Sequence, residues 1–389
     1  MNQTVCKRSI PFGRPWVSEE DRQAVAQVLN GHILTHGPEC AAFENKFAQF
    51  MGPEAHCVTV SSGMAALHLA YLHFGIGKGD EVIVPAMTHI ATVHAVEWVG
   101  ATPVFVDCDP NTGNLTAEAI AAAVTSRTKA ISVVHFQGIP CNMPEIMDIA
   151  NAHDLKVIED CALAVGTRYG GCHAGLFGDA ACFSFYPVKH LTCGEGGMFA
   201  TRHEDVAVAV NKLRAFGVDR KHEERSVPGM YDVPQLGLNY RMSEIQAALG
   251  RSQLTRIDEI LLRRSENFAA LKQGLSLLPN IRVLDSTCRK AINSHYSLTL
   301  VLENELKSYR NEVIGQLKEA GIGTSIYYPQ PTPRMTYYRN KYGYDSDRYP
   351  IAIEISDHSI ALPVGPHIEP DDIQYILDQT SEILVEVNQ

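Results

Sequence analysis

Residues 183–198 read FSFYPVKHLTCGEGGM, with a single lysine, Lys189, between an aromatic strand-like run and a glycine-rich turn. An ammonium group is costly to desolvate, so a lysine at the end of an apolar strand needs a reason beyond packing. A lysine that snorkels to the surface is the ordinary alternative. The run it follows, ACFSFY (181–186), closes a series of short apolar runs: CVTV (57–60), EVIVPA (81–86), PVFVD (103–107), AISVVHF (130–136) and KVIED (156–160). Amphipathic segments such as MAALHLAYLHFG (64–75), THIATVHAVEWVG (88–100) and MPEIMDIANAHD (143–154) lie between them. Strand and helix in alternation predict an α/β domain with a mostly parallel sheet flanked by helices. The crossovers must be right-handed, and ligands then gather at the carboxyl ends of the strands.

The chain has 389 residues, enough for two domains. A helix is expected over 203–222, and a loop follows in SVPGMYDVPQLGLNYRM (226–242). One long helical pattern then runs over 242–275 and could bridge two domains. Beyond it the order becomes strand (HYSLTLVL, 295–302), helix (308–322), strand (SIYYP, 325–329) and terminal helix (370–387). That change places a boundary near residue 250, dividing a large α/β domain (1–250, with the N-terminal segment) from a smaller α+β domain (251–389).

Lys and Arg number 33 against 44 Asp and Glu, a net charge of −11. That balance argues against nucleic acid or an anionic membrane surface as a partner. No apolar run reaches bilayer length and the N-terminus lacks a signal-peptide core, so the chain reads as cytoplasmic. The ten cysteines form no C-x-x-C pair. Cys161, Cys172, Cys182 and Cys193 recur at nearly even intervals, but several cysteines sit in apolar runs. They read as packing residues rather than as metal ligands.

Four features fall at the ends of expected strands. In VTVSSGMAALHLA (58–70) a strand runs through Ser61, Ser62 and Gly63 into a helix that begins near Met64. Such a helix start offers free N–H groups to a phosphate, although a plain serine cap has the same pattern. In VIVPAMTHIATVHAV (82–96), His89 opens a helix, either as a flat ring for stacking or as a core histidine. Asp160 ends a very apolar strand, where a carboxylate needs a cation, donors or a capping role. Lys189 follows 29 residues later, with Ser184 just before it. A pyridoxal phosphate site needs an amine, an acid facing the ring nitrogen, a phosphate cradle and a flat side chain over the ring. Lys189, Asp160, Ser62 to Ala65 with Ser184, and His89 supply that set.

With these residues in hand, the chain resembles the pyridoxal-phosphate-dependent nucleotide-sugar aminotransferases of the DegT/StrS type, within the aspartate aminotransferase fold (fold type I). The resemblance runs from PFGRPWVSEED (11–21) and LTHGPECAAFE (34–44) to SIALPVGPHI (359–368). Its most specific segments are SSGMAALHLA (61–70), EVIVPAMTHIAT (81–92), PVFVDCDPNTGNL (103–115), VIEDCALAVGTRYGG (157–171), GDAACFSFYPVKHLTCGEGG (178–197) and LGLNYRMSEIQAALG (236–250). The resemblance implies that Lys189 carries the cofactor and shuttles the proton, while Asp160 keeps the pyridine nitrogen protonated. It puts His89 on the ring and Gly63, Met64 and Ser184 at phosphate-binding positions, next to Ser62 and Ala65. It also has Asn239 reach the phosphate of a neighbouring subunit, which implies a homodimer with shared active sites. Two departures stand out. Leu163 takes a place where many relatives have Gln, His or Glu, and YYPQPTPRM (327–335) lacks the usual histidine.

The implied reaction is transfer of an amino group from L-glutamate to a nucleotide-linked 4-keto-6-deoxy hexose. The product is a 4-amino-4,6-dideoxy sugar nucleotide for surface glycans. PFGRP, LTHGP and PVKHLTCGEGG carry the preference for the 4-keto position, and 3-keto aminotransferases are close alternatives. Related sugar 3-dehydratases have histidine in place of the lysine; here Lys189 precedes His190, and GEGG fixes the register. A non-catalytic binder is the reading from another class, and the joint presence of Lys189 and Asp160 argues against it.

Overall fold

The computed structural model describes residues 8–219 and 226–387. Its strands are β1 (His56–Val60), β2 (Glu81–Pro85), β3 (Thr102–Val106), β4 (Thr128–Val134), β5 (Lys156–Asp160), β6 (Arg168–Tyr169), β7 (Cys172–His173), β8 (Ala180–Ser184), β9 (Gly197–Thr201), β10 (Ile281–Val283), β11 (Ala291–Ile292), β12 (Leu298–Leu302) and β13 (Ser359–Leu362). The helices of the first half are α1 (Glu19–Leu29), α2 (Pro38–Met51), α3 (Gly63–His73), α4 (Ile90–Trp98), α5 (Ala117–Ala123), α6 (Met143–Ala152) and α7 (Glu204–Leu213). Those of the second half are α8 (Glu244–Leu254), α9 (Ile257–Leu275), α10 (Arg310–Glu319), α11 (Thr336–Tyr342), α12 (Pro350–His358) and α13 (Pro370–Glu386).

Seven strands form one sheet in the order β1-β9-β8-β5-β4-β2-β3. Pairings from β8 through β3 are all parallel, and β9 runs antiparallel to both of its neighbours. All six expected strands of this sheet are present, shifted by at most two residues. They are nearly continuous apolar runs because helices cover both faces of a parallel sheet. Strand β9 is the addition to the expectation. Gly194 (φ 78°) and Gly196 (φ 159°) turn the chain sharply after Lys189, and MFAT then returns beside β8. Helix α3 is apolar on nearly every side and is buried in the core under the sheet, so it carries no amphipathic signature.

A second core gathers around the antiparallel sheet β10-β12-β13, with α9, α10 and α13 packed on it. Ile10 belongs to this core: its N–H and C=O pair with Gly321 and Gly323. The N-terminal segment therefore docks on the C-terminal half of the chain at Ile10, although it precedes the large sheet in sequence.

Three expected elements take a different form. The single long helix of 242–275 is two helices, because Arg256 leaves helical geometry (φ −111°, ψ 14°). Its guanidinium is drawn to the buried Asp21 carboxylate at 2.7 Å and lies over the Trp16 ring. The helix expected over 203–222 ends at Leu213, where Phe216 (φ 65°) and Gly217 (φ 69°) turn the chain. Residues 220–225 of that expectation lie outside the described residues. SIYYP makes one bridge, Ser325 to Ala361, rather than a strand.

An aromatic cluster supports the strand that leads to Lys189. The buried Phe47 ring lies 5.0 Å from Phe183 and 5.7 Å from Phe185, with Phe43 and Phe50 also around it. Truncating Phe47 leaves a cavity that these rings cannot close. Phe47→Ala should cost about 3–5 kcal/mol of stability by denaturant unfolding; a loss under about 1 kcal/mol would show that the cluster relaxes into the space.

Candidate active site

Asp160 ends β5, the central strand, with Val134 of β4 on one side and Cys182 of β8 on the other. The carboxylate is 6% exposed. Its Oδ1 accepts the Ala162 N–H at 3.0 Å and its Oδ2 accepts the Thr92 hydroxyl at 2.7 Å. Thr88, just before the cap of α4, in turn lies 2.9 Å from the Thr92 hydroxyl, so the start of that helix helps orient this acid. The two accepted bonds leave lone pairs for one further donor.

Lys189 lies in the turn after β8 and is half-buried. Its Nζ sits 5.2 Å from the centre of the Tyr296 ring. Burial lowers its pKa to about 8, against the opposing pull of Asp160. The Asp160 charge therefore reaches the Lys189 amine from the end of the neighbouring strand. An amine with that pKa is partly neutral near pH 8, the form that attacks a carbonyl or takes a proton.

His89 caps α4, its Nδ1 accepting the Ala91 N–H at 3.2 Å, so the ring proton sits on Nε2. Partial desolvation lowers its pKa, and the Lys189 charge lowers it further. The imidazole is neutral at pH 7, and its outer part is exposed. Of the two readings open in the sequence, the core histidine is excluded. On its inner side the ring meets Tyr328 edge to face at 5.9 Å.

Ser62 caps α3 by accepting the Ala65 N–H at 3.1 Å. That leaves the N–H groups of Gly63 and Met64 at the helix start as anion donors. Ser184 lies directly against this turn: a Cβ on Gly63 would stand 3.0 Å from the Ser184 Cβ. Gly197 closes the other side, and a Cβ there would fall 2.5 Å from the Ser62 carbonyl and 2.7 Å from the Gly63 nitrogen. Any larger residue at 197 would displace the turn itself. The serine cap is present, and the helix start it forms keeps two N–H groups open to an anion. A buried acid, a neutral-capable amine and a glycine-bounded helix start fit pyridoxal phosphate.

Asn239 does not join this group directly. Its side chain is exposed and has no hydrogen-bond partner among the described residues, while its backbone bridges Ala215. Leu163 is a buried side chain, 2% exposed, and its carbonyl accepts the Ser294 hydroxyl at 3.2 Å. Sequence reasoning missed Tyr296, Tyr328 and Thr92. Thr92 carried a signal, a second threonine four residues after Thr88 across the start of α4. The two tyrosines come from the C-terminal half and carried none. Tyr296 and Tyr327 share a hydroxyl contact of 2.8 Å beside Lys189.

His135, Glu159 and Cys161 lie close enough together to suggest a metal centre. The hydrogen bonds assign the group to structure instead. His135 Nδ1 accepts the Cys141 N–H, so Nε2 donates to Glu159. Glu159 also accepts N–H groups of Gly175, Phe177 and Gly178. Burial would raise the Glu159 pKa, but the His135 bond and these N–H groups hold it low. The carboxylate thereby fixes the loop between β7 and β8. Cys161, Cys182 and Cys193 are buried with free thiols, as packing residues are.

Comparison with known proteins shows the family. Residues 15–381 match the model of the DegT/DnrJ/EryC1/StrS aminotransferase family. The chain is 38% identical over 377 residues to a GDP-perosamine synthase of Caulobacter vibrioides, covering 97% of this chain and 98% of that protein. It is 36% identical over 381 residues to the spore coat polysaccharide biosynthesis protein SpsC of Bacillus subtilis, covering 96% and 97%. Among solved structures, the putative sugar aminotransferase Spr1654 of Streptococcus pneumoniae in its PMP form superposes with a TM-score of 0.92 at 28% identity, covering 97% of this chain and all of that one. The architecture is the fold-type-I arrangement of those transferases. The chain belongs to the DegT/DnrJ/EryC1/StrS aminotransferase family and is a pyridoxal-phosphate-dependent sugar aminotransferase.

Proposed function

We propose that the enzyme moves the amino group of L-glutamate to a nucleotide-linked 4-keto-6-deoxy hexose, giving a 4-amino-4,6-dideoxy sugar nucleotide for surface glycans. The observation that carries the reading is the pull of the buried Asp160 charge on the Lys189 amine, from the carboxyl ends of the neighbouring strands β5 and β8. Similarity to proteins named for GDP-perosamine synthesis and spore coat polysaccharide supports the sugar class. Among the described residues no helix is long and apolar enough to cross a membrane, which is compatible with a cytoplasmic enzyme.

When bound, pyridoxal phosphate supplies a reactive carbonyl and a sink for electrons. Gly63 and Met64 would offer their N–H groups to its phosphate at the start of α3, within the cap made by Ser62 and Ala65 and with Ser184 against the turn. His89 would stack on the ring. Asp160, oriented by Thr92, keeps the proton on the ring nitrogen. Lys189 Nζ anchors the cofactor, then takes the α-proton of the donor and later returns a proton to the sugar carbon. The Leu163 side chain offers no hydrogen bond, so the place it takes is more apolar in this enzyme than in many relatives.

The same reading includes a homodimer. Met230, Val233 and Leu236 lie 64%, 49% and 92% exposed just before Asn239. Apolar side chains so open to water favour a covering partner, and a second subunit there would bring Asn239 to its phosphate. The division into a cofactor domain (1–250) and a small domain (251–389) belongs to this proposal as well.

The uptake of pyridoxal phosphate by cofactor-free protein reports Lys189 directly. Burial disfavours the charged amine, so the neutral fraction grows as pH rises towards about 8. The capture rate should rise about tenfold per pH unit below that point and level off above it. A flat profile would contradict the assignment. Asp160→Asn should slow both half-reactions by about a hundredfold or more while Lys189 still captures the cofactor. Near-parent rates would mean that another group faces the ring nitrogen. For the acceptor, the loaded enzyme with L-glutamate would be given nucleotide-linked 4-keto and 3-keto 6-deoxy hexoses, and the product analysed by NMR. Nitrogen at C4 is expected; nitrogen at C3, or loss of the 3-hydroxyl, would replace the reading by one of its alternatives.

A further inference from the structure

The reaction outlined above requires the Lys189 amine to leave the cofactor and return to it. Among the described residues its Nζ has no hydrogen-bond acceptor and no ion pair with a carboxylate. What it meets is the Tyr296 ring, with Nζ standing over it 5.2 Å from the centre. A desolvated ammonium without an acceptor is costly. A phenol ring offers such a charge the negative face of its π system, and 5.2 Å is within the reach of that attraction.

Tyr296 is itself held from several elements and is 4% exposed. Its N–H donates to the Gln137 carbonyl at 3.0 Å, and its carbonyl accepts Arg264 Nη1 of α9 at 2.9 Å. Its hydroxyl meets that of Tyr327 at 2.8 Å, and the His190 ring lies 5.8 Å away. A ring anchored at backbone and hydroxyl is a fixed surface for a flexible amine. Burial pushes the pKa of Tyr296 and Tyr327 up, so both phenols stay neutral. The other charged or titratable groups around the amine are Asp160 at the end of β5, His89 at the start of α4, His190 next in the chain, and Arg264. Burial lowers the pKa of both histidines, which are neutral near pH 8. Arg264 stays charged there, its pKa lowered by burial to about 10, and its Cζ lies 6.0 Å from the Tyr296 ring centre. Lys189 is therefore the group of this set that changes charge near pH 8.

We propose that Tyr296 is a positioning residue whose ring face receives the Lys189 ammonium whenever that amine is free of the cofactor. This rests on the assignment of Lys189 as the cofactor's lysine and adds how the freed amine is kept in place. A carboxylate at hydrogen-bond distance would tie the ammonium down through directed bonds and favour its charged form strongly. A π face attracts the charge without a directed bond, and it releases the amine once the proton has gone. The burial of Tyr296 and its three anchors keep that face where the amine can find it.

The test is the pH midpoint for capture of pyridoxal phosphate by the cofactor-free full chain. The parent is compared with Tyr296→Phe and with a protein carrying pentafluorophenylalanine at position 296. Phenylalanine keeps the negative face, so its midpoint should stay near the parent's, at about 8. The fluorinated ring keeps the shape and reverses the charge of the face. The ammonium then loses its partner, the midpoint should fall by about one pH unit, and capture on the acid side should become about tenfold faster. Both replacements lack the hydroxyl, so the difference between them belongs to the ring face. If loss of the hydroxyl prevents folding, a ring-fluorinated tyrosine at 296 is compared with the parent, and a fall is again expected. A midpoint that fluorination leaves unchanged or raises overturns the proposal, as does an equal fall with phenylalanine. Borohydride reduction and peptide mapping of the parent are done alongside. A label on Lys189 with an unmoved midpoint refutes the role of Tyr296 alone, whereas a label elsewhere refutes the assignment of Lys189 on which it rests.

Discussion

The carboxylate of Asp160, held at the buried end of the central strand, is the constraint on which the remaining site depends. Neighbouring strands on both sides remove it from water, and among the described residues two donors reach it, Thr92 and the Ala162 N–H. A charge so placed is stable when a cation completes its shell. In the role we propose, the protonated ring nitrogen of the cofactor would be that cation, and Asp160 would in turn keep the nitrogen protonated. Stability of the acid and the electronic demand of the chemistry are met by one contact.

The rest of the architecture delivers partners to that carboxylate. Parallel strands point their carboxyl ends the same way, so loops after β1, β2, β5 and β8 converge although they span more than a hundred residues. The reversal at Gly194 and Gly196 then folds β9 back against the start of α3, and Gly197 allows backbone to approach backbone there. The C-terminal half closes the pocket from the other side with Tyr296 and Tyr328.

Much of this was readable from residues alone, for physical reasons that also mark the limit. Parallel strands buried on both faces show as unbroken apolar runs, and each of the six was visible. Lys189, Asp160, Ser62 and Ser184 stood out because polar or charged groups interrupt such runs only at their ends. The break between α8 and α9 was not visible, since it depends on Arg256 being drawn to Asp21, more than two hundred residues away. Helices α11 and α12 and the tyrosines near Lys189 were missed likewise, because nothing local marks a residue that matters only after the two halves meet. His89 was ambiguous between stacking ring and core residue; its exposed outer part and its capping bond are tertiary and local facts that only coordinates separate.

The central claim is that Lys189, and no other lysine, meets the cofactor opposite Asp160. Borohydride reduction of the loaded protein followed by peptide mapping tests it most directly, because reduction makes the lysine link permanent. The account predicts one pyridoxyl group, on Lys189 in the peptide that contains FSFYPVKHLTCGEGGM. A label on a different lysine, or a protein that takes up the cofactor and retains no label, would contradict it.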